Sequence, residues 1–234
     1  MKMFSLLALA CGVLITSGCK QAADAQLGEA QSAAAQSPFV QVTDANITLD
    51  IKYFTHENLV GEPLDGYLAA RCLLVPEAAR ALVAVSEALA EDGLGLLIFD
   101  CYRPQRAVNH FVRWAASPED NSTKPDFYPN EEKHLMFERG YIAERSGHSR
   151  GATVDLSLYR LADGSPLDMG TGFDFMDESS ATDYPLENAQ AVANRHLLRQ
   201  AMTAAGFKNY AQEWWHYTFK PEPHPDTYFD IPVQ

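Results

Sequence analysis

Residues Ser146–Arg160 read SGHSRGATVDLSLYR. From Thr153 to Tyr159 the side chains alternate as in a strand, so a rigid element carrying Asp155 starts near Ala152. His148 falls in the loop just before it, and Gly147 and Gly151 let that loop fold back until both residues reach one point. Far downstream, Glu213-Trp214-Trp215-His216 supplies a second imidazole and a further carboxylate within an aromatic, β-prone segment, Glu213–Phe219. Two histidines and one carboxylate, His148, Asp155 and His216, form the three-donor set of a catalytic zinc that keeps one position for water. Glu213 is then a candidate general base. Taken singly, each of these residues also suits a structural role. In a regular strand, moreover, positions 213 and 216 face opposite sides. Both can serve one site only if the chain turns or bulges between them, or if Glu213 precedes the strand.

Working outward, Leu94–Asp100 (LGLLIFD) is an apolar run bounded by turn signals, as expected of a buried strand. It ends in Asp100-Cys101-Tyr102-Arg103-Pro104, where a strand gives way to a helix running to Ala116. Arg103, permanently charged, suits stabilisation of a developing oxyanion, and an ion pair with Asp100 is the plainer alternative; Asp100 orienting Arg103 accommodates both. Arg71–Val75 predicts a strand, Pro76 opens a helix ended by Gly93, Asn130 caps a helix to Gly140, and Leu186–Ala205 is a long helix stopped by Gly206. Helices and strands mix without a regular βαβ repeat. The fold class is therefore α+β, with a small mixed or antiparallel central sheet flanked by helices.

The N-terminus has a different character. Lys2 precedes an apolar run, Phe4–Ile15, too short to span a membrane comfortably, and Thr16-Ser17-Gly18 leads into Cys19. This resembles a bacterial lipoprotein signal, 1–18, with Cys19 as the lipidated first residue of the mature chain. Residues 19–38 are rich in Ala, Gln and Ser and too poor in large apolar side chains to offset their ordering entropy, so a flexible tether is expected before a domain spanning 39–234. The protein is thus placed outside the cytoplasm, on the periplasmic or extracellular face, held to the membrane by its lipid anchor alone. Lys20 after the cysteine favours the outer membrane. Cys72 and Cys101 remain; an oxidising compartment would allow them to pair, and two separate buried thiols are the reading taken. The net charge of −13 excludes a nucleic-acid partner, which needs a basic face. Nothing in the sequence sets an oligomeric state.

Taken together, SGHSRGATVDLSLYR, DCYRP, MGTGFDFMDE and EWWHY resemble the D-alanyl-D-alanine dipeptidases of the VanX type, over about Tyr53 to Pro232. That family lies within the zinc peptidases that include D-Ala-D-Ala carboxypeptidases and the hedgehog-like fold. The resemblance implies one zinc per chain on His148, Asp155 and His216, Glu213 as base and Arg103 facing the scissile carbonyl. It further implies that Ser146, Tyr53, Tyr67 and Asp174 hold the ends of a small dipeptide, Asp174 its ammonium, and Ser146 and Tyr67 its carboxylate or the backbone beside it. Two other readings stay open, a peptidoglycan D,D- or L,D-carboxypeptidase and a non-catalytic zinc-binding lipoprotein.

Overall fold

The structure is a computed structural model that describes residues 37–117 and 121–234. The expected signal segment, Cys19 and all but the last two tether residues lie outside the described residues. A compact unit spans Pro38–Gln234.

Its elements run β1 (Val40–Gln41), β2 (Ile47–Leu49), β3 (Leu73–Leu74), α1 (Pro76–Ala90), β4 (Leu94–Asp100), α2 (Gln105–Ala115), the short α3 (Lys124–Phe127), β5 (Thr153–Arg160), α4 (Ala189–Ala204), β6 (Phe207–Asn209) and β7 (His216–Phe219). The central sheet has the order β2-β4-β5-β7-β6. Only β2 and β4 are parallel; the remaining neighbours are antiparallel. Strands β1 and β3 form a separate antiparallel pair. This is the mixed α+β architecture expected.

The pleat of β5 explains how the sheet serves core and site at once. Val154, Leu156 and Leu158 project to one face and are fully buried, while Thr153, Asp155 and Ser157 project to the other. Helix α1 packs on β4 and against α4, burying Leu82, Val85 and Leu89, which recur at helical spacing. At the start of α4, the side chain of Asn188 accepts from the backbone N–H of Gln190 and Ala191. This cap sets the helix start at Ala189, three residues later than expected.

Two expectations are corrected. Cys72 and Cys101 are joined as a disulfide. Both are buried, so low exposure is equally compatible with bonded and separate sulfurs. The helix expected from Asn130 to Gly140 is absent: the segment holds a single 3-10 turn, Lys133–Leu135. The amide of Asn130 donates to Asp177 at 2.8 Å instead of capping, and Tyr128, Met136 and Ile142 are drawn separately into the core.

Candidate active site

Three neighbouring strands set the site in one row. Asp100 pairs with Asp155 across β4 and β5, and Asp155 pairs with His216 across β5 and β7. Continued regular pairing from Ile98–Leu156 would put Phe99 opposite Asp155. The register shifts between Ile98 and Asp100, so the irregularity brings a carboxylate there in its place.

His148 reaches the row from a 3-10 turn, Gly147–Arg150, whose N-cap is Ser146: its hydroxyl accepts the His148 N–H at 3.2 Å. The turn ends at Gly151 with φ +79°, and a Cβ there would lie 2.3 Å from a carbon of the Phe39 ring. No other residue type fits this position without displacing that ring. The chain thereby folds back, as the sequence requires.

His148, Asp155 and His216 present donor atoms all within 4.8 Å of one another. His148 Nε2 lies 3.2 Å from Asp155 Oδ2, and His216 Nδ1 lies 3.1 Å from Asp155 Oδ1. Asp155 Oδ1 is nevertheless a buried oxygen whose geometry closes no hydrogen bond. On the far side of its ring, His148 Nδ1 is 2.7 Å from the carbonyl of Cys101. Nδ1 therefore carries the proton and donates, which leaves the Nε2 lone pair directed into the site. A buried carboxylate with one oxygen free of hydrogen bonds, flanked by two imidazole nitrogens with one tautomer fixed, fits a divalent cation. Burial alone would lift the Asp155 carboxyl, but the imidazoles of His148 and His216 hold it well below the usual range.

Glu213 precedes β7, in a turn where its N–H bonds to the Tyr210 carbonyl and Asn209 Nδ2 donates to its own carbonyl. That placement removes the strand-parity conflict. One carboxylate oxygen lies 3.4 Å from His216 Nδ1, and burial pushes the carboxyl up to about 7. Arg103 Nε donates to Asp100 at 3.0 Å, while Nη2 lies 3.5 Å from Asp155. The guanidinium also lies over the Tyr53 ring at 4.6 Å.

Among the sequence-predicted binding residues, Ser146, Tyr53 and Asp174 line a cavity of about 240 Å³ together with the metal-type cluster, Glu213 and Arg103. Tyr53 donates to Asp174 Oδ2 at 2.6 Å. Asp174 has a left-handed backbone, φ 56°, and burial raises its carboxyl well above the ordinary value. Tyr67 is placed differently from the expectation. Its phenol donates to Asp100 Oδ1 at 2.6 Å, behind Arg103 and away from the cavity wall. Asp100, itself raised by burial and opposed by Arg103, thus joins Tyr67, Arg103 and the His148 ring in one buried network. The sequence reading did not single out Leu59, Ile142 and Met176 as cavity-lining residues. Nothing in the pattern separates such apolar side chains from ordinary core.

The profile of the D-Ala-D-Ala dipeptidase family matches residues 33–234. The chain belongs to this family. Within it, the chain is 52% identical to the D-alanyl-D-alanine dipeptidase of Streptomyces coelicolor over 198 residues, covering 83% of this chain and 96% of that one. It is 46% identical to the Enterococcus faecium enzyme over 185 residues, 79% and 92% of the two chains. Identity to the Escherichia coli enzyme is 36% over 172 residues, 74% and 78% of the two. Membership makes this family chain a peptidase, and the non-catalytic reading falls away.

Proposed function

We propose that this peptidase hydrolyses D-alanyl-D-alanine or similar free D,D-dipeptides with one zinc ion held by His148, Asp155 and His216. The observation that carries the reading is the convergence of those three donors beside a buried carboxylate, Glu213, poised near neutrality. When bound, zinc supplies Lewis-acid polarisation of the carbonyl and lowers the pKa of water towards about 7. The chain's own residues do the rest. Glu213, in its ionised form, takes a proton from the attacking water and delivers it to the leaving amine. Arg103, fixed by Asp100, directs N–H groups at the oxygen on which charge develops. Asp174 receives the substrate ammonium; the approach of that cation favours its ionised form, which burial otherwise disfavours. Ser146 lies at the cavity wall, where it suits the carboxylate end.

Cavity size supports this reading over a carboxypeptidase acting on stem peptides. At about 240 Å³ the cavity is smaller than sites for drug-sized ligands, which suits a dipeptide with small side chains. Location outside the cytoplasm is part of the same proposal. The apolar run before Cys19 and the Cys72–Cys101 bridge support it, since disulfides persist in oxidising compartments. The test is release of D-Ala from D-Ala-D-Ala beside an N-acylated tripeptide, with chelator and after zinc is restored. The expected result is zinc-dependent cleavage of the free dipeptide alone. Cleavage confined to the acylated tripeptide would transfer the chain to the carboxypeptidase reading.

A further inference from the structure

The Cys72–Cys101 bridge stands next to the chemistry, and its surroundings give it more than a stabilising role. Ladder pairing of β4 with β5 stops at Asp100, and the turn that follows carries Arg103. Two links tie this turn back to β3: the Tyr102 N–H bonds to the Leu73 carbonyl at 2.9 Å, and the disulfide joins Cys101 to Cys72. Cys72 is anchored in turn, its carbonyl accepting the Val42 N–H at 2.9 Å, beside the β1–β3 pair. Cys101 is also the residue whose carbonyl accepts the proton on His148 Nδ1, and its neighbour Asp100 holds Arg103. One covalent link therefore fixes the backbone that sets the tautomer of one proposed metal ligand and seats the proposed oxyanion partner.

We propose that the Cys72–Cys101 bridge is a positioning element of the zinc site: it holds the Cys101 carbonyl against His148, and the chain with unbridged sulfurs binds zinc more weakly. The inference rests on the zinc reading above. Groups that orient a metal-bound histidine typically change metal affinity 10–100-fold when lost, whereas a bridge that only limits the unfolded chain changes stability and leaves affinity alone.

The test is zinc affinity, measured by competition against a chromophoric chelator well below each protein's unfolding midpoint. Wild type is compared with the Cys72→Ala/Cys101→Ala pair and with Met202→Ala, a buried truncation in α4 that does not line the cavity. The expected result is about tenfold or greater weakening in the cysteine pair, with Met202→Ala at the wild-type value despite its lowered midpoint. Affinity within about twofold of wild type in the folded cysteine variant overturns the inference, twofold being well short of the expected range. Should that variant not fold, wild-type protein reduced with a phosphine, and then freed of it, supplies the same comparison with native side chains. Failure of wild type itself to bind zinc would instead remove the reading on which this one stands.

Discussion

Replacing Glu213 by Gln is the most informative single perturbation. Gln keeps the volume and one acceptor oxygen of a side chain that is 12% exposed, and it removes the group able to take a proton. General bases contribute about 10²–10⁴-fold, so kcat should fall by that factor, roughly 3–5 kcal/mol of barrier. Zinc should remain bound at one per chain, because the three donors are untouched. A second measurement on metal-free protein follows from the same burial. The Glu213 carboxyl, about 7 in the fold against an ordinary 4.5, retains its proton where the unfolded chain has lost it. The folded state therefore binds more protons between those values, and Glu213 reduces stability as pH rises through that window. Metal-free Glu213→Gln should accordingly gain on metal-free wild type between pH 4.5 and 7, by up to on the order of 3 kcal/mol. Denaturant midpoints across that range, beside steady-state kinetics, check both limbs. Near wild-type kcat in the variant would refute the assignment of the base, and loss of zinc would make Glu213 a ligand.

Asp174→Asn should raise KM for the free dipeptide about tenfold or more while kcat changes little, since a charge-assisted bond to the ammonium is lost and a neutral side chain suits the buried position; Michaelis constants measured at pH 7 decide it. Arg103→Lys should lower kcat by about 10²-fold, because an ammonium cannot keep Asp100 and also present a fork to the carbonyl oxygen; full activity would exclude Arg103 from that role. Cys19→Ala should move the protein from the membrane to the soluble fraction, and continued sedimentation with membranes would rule out the lipid anchor.

Local features of the fold were largely legible. Leu94–Asp100 has the expected strand bounds because Gly93 and the following turn fence an apolar run. Pro76 marks the start of α1 for a reason local to one residue. Asn188 is a cap-forming residue in the sequence, but the apolar Leu186 just upstream extends the helical pattern past it. What local pattern does not carry is pairing between distant strands. That Asp100 and His216 flank Asp155 follows from register, including an irregularity at Phe99 that alternation alone would not place. The same holds for Tyr67: phenols in a cavity wall and behind an arginine have the same sequence signature. The disulfide was hidden because cysteines bury equally well alone.

One consequence of the strand row concerns when the site comes into being. His148 and Asp155 are near neighbours along the chain, but His148 and His216 are 68 residues apart. Bringing the second imidazole in requires β7 to dock on β5, which costs loop-closure entropy before any ligand geometry is gained. On the proposed zinc reading, capture of the ion should therefore follow this long-range pairing, and tight stoichiometric loading would report that it has closed.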